Sequence, residues 1–222
     1  MNKYLLLLLL LCAPSAFANN VFSTLPDTLK ADEKYVIYSH GLIVEGDNSR
    51  PIHPKFGPYE FELIKLALAD GHHFNLIAEH RPKNTDIPSY TQKLVQWVNQ
   101  LIASGVPPAN ITLIGFSRGG ELTAYASSEI RNLGINTILM ATCWRNSVQT
   151  KSDVVFGGNF LSVFEASDGA RTCRQLADRS PQLASFDEIA ISTGKEHGAF
   201  FIPLEEWVTP VKQWINTKAQ TN

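Results

Sequence analysis

The chain has 222 residues, 44% of them hydrophobic and 18% charged, with a formal net charge of −2. That length suits one well-buried domain. The slight acidic excess leaves no basic surplus with which to hold nucleic acid, so no such partner is expected.

In chain order, the N-terminus reads as a secretory leader. Met1 to Tyr4 is short and basic, Leu5 to Leu11 is unbroken apolar sequence, and Ala16-Phe17-Ala18 forms a small-x-small cleavage site. Residues 1–18 are expected to be removed, with Asn19 opening the mature chain and the periplasm or the exterior as its destination. The apolar run is well short of the about 20 residues a spanning helix needs, and no later stretch approaches that length, so stable membrane insertion is not expected. Leu11 stands where lipoprotein processing at Cys12 would need a small residue, which argues against a lipid anchor.

Residues 19–222 read as a single domain in which strand-like and helix-like runs alternate. Tyr35 to Tyr38 is a buried strand, Tyr59 to Ala69 an amphipathic helix, and Phe74 to Ala78 a strand. Pro88 to Ala103 carries Leu94, Val95, Val98, Leu101 and Ile102 at helical spacing and stops at Gly105. Ile111 to Ile114 is a strand, Glu121 to Ile130 a helix, and Ile135 to Met140, Phe160 to Ala166 and Ile189 to Ser192 are strands. Leu204 to Ile215 closes the chain as a helix. Two long loops, 43–56 and 141–159, are set aside as functional or mobile segments. His72-His73 and the remaining histidines show no metal-ligand spacing, and no metal or cofactor is implied.

The decisive motif is Gly115-Phe116-Ser117-Arg118-Gly119-Gly120, lodged between a strand and a helix. Glycines on both sides permit a sharp strand-to-helix turn that projects the serine hydroxyl outward as a nucleophile. A serine needs a base, and a histidine base needs an acid to hold it. Asp168 follows one strand and His197 follows the last, both at strand ends where open α/β sheets gather their sites. His197 is the only histidine after Asp168; Glu165 is the competing acid, with Asp168 then a loop-capping carboxylate.

The order Ser117, Asp168, His197 resembles that of the α/β-hydrolase superfamily, and the likeness runs from about Tyr35 to Trp214, including the strand end Ser39-His40-Gly41-Leu42. The resemblance implies a three-layer α/β/α sandwich around a mostly parallel sheet of about six strands, trimmed at its start and lacking a large lid. It also implies an oxyanion hole from the backbone N–H groups of Leu42 and Arg118. His40, Gly41 and Trp144 are expected near the substrate, though a histidine at position 40 can equally prop the oxyanion loop, and the Arg118 side chain can pin a neighbouring loop. His80-Arg81 is a further candidate for the pocket, and Trp97, Trp207 and Trp214 read as core. Cys143 and Cys173, the even pair left after cleavage, suggest a disulfide, with two buried thiols as the alternative. The resemblance brings their two loops to one edge of the site.

The activity implied is that of a cofactor-free serine esterase working on small soluble esters through an acyl-enzyme. Arg50, Lys55, Arg81 or Lys83 could favour an anionic group at an open, shallow mouth. A peptidase, thioesterase or lactone hydrolase would use the same triad, and a catalytically silent binding protein would keep the scaffold alone. Oligomeric state is not legible in the sequence.

Overall fold

A computed structural model describes residues 20–71 and 74–219. The leader with its cleavage site, Cys12 and His72-His73 lie outside the described residues.

The elements in chain order are β1 (Val21–Phe22), β2 (Tyr35–Ser39), β3 (Ile52–His53), β4 (Gly57–Pro58), α1 (Phe61–Ala69), β5 (Asn75–Ile77) and α2 (Ile87–Ala103). They continue with β6 (Ile111–Phe116), α3 (Arg118–Glu129), β7 (Asn136–Met140), β8 (Gly157–Glu165), α4 (Arg174–Asp178), β9 (Gln182–Ile191) and α5 (Glu205–Lys218). Seven strands form one sheet in the order β1-β5-β2-β6-β7-β8-β9, every neighbouring pair parallel. The strand beyond the expected six is β1, too short to show a period of its own. β3 and β4 make a separate antiparallel hairpin inside the first long loop.

Strand alternation sorts the core onto two faces. On β2, Val36 and Tyr38 face α1 and α5, packing with Phe61, Ile64, Trp207 and Val211. Tyr35 and Ile37 face α2 and α3, packing with Leu94, Val98, Leu101 and Leu122. The result is the three-layer sandwich, and the three tryptophans read as core are buried. The central strands are buried on both faces, as parallel strands covered by helices must be. Parallel pairing also aligns the strands' C-terminal ends along one rim: Ser39 pairs with Gly115, and Phe116 with Met140. The loops of interest all spring from that rim.

Candidate active site

Ser117 occupies the junction of β6 and α3 with φ 52° and ψ −116°. A non-glycine residue there carries about 1–3 kcal/mol of backbone strain, which the surroundings must hold. They do so by close approach. A methyl group at Gly119 would overlap the carbonyls of Ser39 and His40, and one at Gly115 would overlap the start of α3. The Ser117 N–H donates to the Met140 carbonyl at 3.0 Å, fixing the turn against β7.

Asp168 lies in the turn after β8, and His197 in a short 3-10 turn, Glu196–Phe200, after β9. Asp168 Oδ2 and His197 Nδ1 are 2.7 Å apart, while Asp168 Oδ1 accepts the Gly169 N–H at 2.7 Å. An ionised carboxylate only accepts, so Nδ1 carries the proton and Nε2 is left as the basic nitrogen. Glu165 is engaged elsewhere. Its carboxylate accepts from the Ser167 N–H and hydroxyl at 3.2 and 3.0 Å, and from the Thr193 N–H and hydroxyl, both at 2.8 Å. Burial would raise this carboxyl, but the bonds from Thr193 and Ser167 outweigh it and hold the group below its ordinary range. Glu165 therefore ties the Asp168 turn to the His197 turn and does not touch the imidazole. Sequence reasoning passed over Ser167 and Thr193, whose hydroxyls gave no signal beyond their loop positions.

Leu42 opens a 3-10 turn, Leu42–Val44, and Arg118 opens α3, so neither N–H has an intrahelical acceptor. His40, beneath them, is fully buried. Its Nε2 accepts the Arg81 N–H at 2.9 Å, which leaves Nδ1 to donate to the Gly41 carbonyl at 2.8 Å. Burial and the adjacent Arg81 charge push this imidazole down to about 2, against the opposing bond to Gly41. His40 is thus a neutral strut with both nitrogens spent on backbone, not a substrate contact; Gly41 does line the cavity.

Arg81 is also fully buried, donating to the His40 carbonyl and facing Glu45 at 3.4 Å. It braces the loop that carries Gly41 and Leu42 and is buried away from the mouth. Arg50 is paired with Glu60 and Lys55 with Glu196, both with exposed side chains, and Lys83 is exposed as well. The Arg118 guanidinium binds Glu121 at 2.7 Å and the Thr85 carbonyl at 3.5 Å, pinning that loop.

Two recesses meet at Ser117. One, of about 240 Å³, is walled by Gly41, His53, Phe56, Phe116 and Phe201 and contains His197. The other, of about 520 Å³, is bordered by Arg118, Glu121, Thr142, Trp144 and Asn146. Leu42 borders both. The smaller recess is covered by the β3–β4 hairpin, whose Phe56 lies 6.4 Å from the His197 ring, while Trp144 of the 141–159 loop borders the other. A roomier groove of about 550 Å³ lies away from this rim, beside Ile87, Thr91, Tyr125 and Asp153, and holds no member of the serine, acid and histidine set.

Cys143 and Cys173 form a disulfide with Cα atoms 5.3 Å apart. It joins the Trp144 loop to the segment following Asp168, and Trp144 stands 5.2 Å from the His197 ring. Among the described residues, no group of three or more histidines, cysteines or carboxylates is placed to hold a metal ion, and no helix is long and apolar enough to cross a membrane.

A parallel α/β/α sandwich with a strained serine turn after its central strand, and an acid–histidine pair on the same rim, defines the α/β-hydrolase class. The chain belongs to that superfamily. Its residues 73–158 match the model of the phospholipase/carboxylesterase family, a stretch that carries Ser117 and ends before Asp168 and His197. A rice protein (Oryza sativa subsp. japonica) named as a probable carboxylesterase is 31% identical over 111 residues, 41% of this chain and 42% of the relative; the chain thus spans under half of that protein's length. Among solved structures, an arylesterase superposes with a TM-score of 0.57 at 12% identity, covering 86% of this chain and 78% of that one. A fungal esterase from Rhizomucor miehei gives 0.56 at 15% identity over 84% and 76%, and the Arabidopsis thaliana protein SOBER1 0.54 at 12% identity over 83% and 99%. At these identities the structural likeness is one of fold.

Proposed function

We propose that the protein is a serine ester hydrolase acting through an acyl-enzyme, exported by its leader to the periplasm or beyond. Ser117 Oγ attacks the ester carbonyl, and His197 Nε2 takes the serine proton and then delivers it to the departing alkoxide. Asp168 fixes the tautomer and stabilises the imidazolium, while the Leu42 and Arg118 N–H groups receive the charge that develops on the carbonyl oxygen. Water, activated by the same histidine, then releases the acid.

The observation that carries this reading is the 2.7 Å contact between Asp168 and His197, made beside the recess that also contains Ser117. The family match and the esterases among the structural relatives support an ester over an amide bond. The test is a fluorophosphonate probe on the purified protein, together with turnover of a short-chain p-nitrophenyl ester. The wild type should be labelled and active, and Ser117→Ala neither. Absence of labelling in the wild type would favour a silent binding protein on the same scaffold.

A further inference from the structure

His53 is a polar side chain in the smaller recess that the proposed reaction leaves unused. Of the groups that wall this recess, Ser117 and His197 serve the chemistry and the others are glycine or apolar, apart from His53. Its ring is held firmly. The backbone N–H groups of Lys55 and Phe56 both donate to its Nδ1, at 3.1 and 3.3 Å. The ring stacks on Phe56 at 4.6 Å between centroids and meets Phe201 edge-on at 6.0 Å. A neutral imidazole whose Nδ1 accepts must carry its proton on Nε2. The hairpin therefore holds His53 on the wall of the recess in the tautomer whose Nε2 carries the proton, amid walls that are apolar apart from Ser117 and His197. Small apolar pockets with one placed polar group select by that group.

We propose that His53 is a specificity-determining residue, and that the substrate portion entering this recess is a short group bearing an oxygen acceptor, such as an ether, carbonyl or hydroxyl oxygen, which accepts from His53 Nε2–H. This inference rests on the esterase reading and deepens it. An all-hydrocarbon group of equal length would fill the recess but leave the donor without a partner, which lowers its relative binding.

The experiment compares matched esters within each protein. On the acyl side, p-nitrophenyl methoxyacetate is set against p-nitrophenyl butyrate; on the alcohol side, 2-methoxyethyl acetate is set against butyl acetate. Each ratio is corrected for the intrinsic reactivity of the two esters towards hydroxide. Wild type should favour the oxygen-bearing member by about tenfold in kcat/KM in one of the two series. His53→Asn keeps an acceptor where Nδ1 caps the turn but withdraws the distal donor, so the preference should collapse to near unity. His53→Gln places an amide N–H near the Nε2 position and should retain part of it. Melting curves identify any variant whose hairpin has come apart. No corrected preference in wild type, or one that survives His53→Asn in a folded protein, overturns the proposal. Either result leaves the esterase reading intact so long as fluorophosphonate still labels Ser117; failure of labelling and of all four hydrolyses would instead remove the esterase reading itself.

Discussion

Asp168 and Glu165 sit three residues apart, both buried, and only their partners separate their roles. Asp168→Asn leaves the turn in place but offers His197 a group that can stabilise the wrong tautomer, so turnover should fall by about 10⁴ with little change in melting. Glu165→Gln replaces an acceptor by an amide donor facing the N–H and hydroxyl groups of Ser167 and Thr193. It should cost about 1–3 kcal/mol of stability and only part of the activity. Steady-state kinetics paired with thermal melts on both variants checks this; the reverse pattern would transfer the acid's role to Glu165. His40 supplies a second test. Its folded value of about 2 lies far below the ordinary 6.5, so below pH 6.5 the unfolded chain binds a proton that the folded chain refuses. The neutral strut's full contribution is therefore present above pH 6.5 and erodes as pH falls, at up to about 1.4 kcal/mol per pH unit. Urea midpoints measured from pH 7 to 4.5 should drop steeply in wild type and less steeply in His40→Asn, which starts from a lower stability.

At the scale of elements, the disulfide closes a loop between the ends of β7 and β8. Closing a span of 30 residues stabilises by about 3.6 kcal/mol in the chain-entropy model. Replacing both cysteines by serine should lower stability by up to that amount. Because the bond holds the Trp144 loop beside the segment following Asp168, kcat/KM should fall as well, even well below the melting temperature. Denaturation and kinetics on the double variant test both parts. The elements also show what a sequence displays and what it hides. β2, β6 and β7 were legible because burial on both faces leaves a short run of mostly apolar residues, and helix α2 because one buried stripe writes a helical period. β9 was mostly hidden: a ten-residue edge strand, half exposed, it carries Ser185, Asp187 and Glu188 where the apolar run would have to continue. The β3–β4 hairpin was hidden because two-residue strands around Pro54 carry no period at all. Motif and chain order are what propose Ser117, Asp168 and His197, and the fold brings Asp168 within 2.7 Å of His197. The burial of His40 and Arg81 was not legible, since each depends on the other across 41 positions of sequence.

For the whole molecule, Ser117 is flanked by a short hairpin on one side and the Trp144 loop on the other, and the longest helical piece between Ala141 and Phe156 is a 3-10 turn, Val148–Thr150. With the acyl group in the recess of about 240 Å³, and not in the neighbouring one of about 520 Å³, a short group fills the space. Each methylene that stays inside is worth about 0.8 kcal/mol, and those that project beyond it gain little. Hydrolysis of p-nitrophenyl esters of rising acyl length should peak at short chains and show no jump when substrate forms micelles. A maximum at long chains would make the protein a lipase and require a larger enclosure than the hairpin provides.

Ser117 and the three residues grouped with it in the proposal arrive from strand ends spread over most of the sheet: Leu42 follows β2, the serine follows β6, Asp168 follows β8 and His197 follows β9. Neighbouring parallel strands join only through long excursions of chain, so these pairings close late and slowly. On the proposed mechanism, catalysis becomes a readout of complete assembly, because no early fragment would hold more than part of the machinery. On dilution from urea with the disulfide intact, esterase activity and the fluorescence of the buried tryptophans should return with one shared rate constant. Activity that ran ahead of the fluorescence would reveal a smaller, self-sufficient catalytic unit within the sheet.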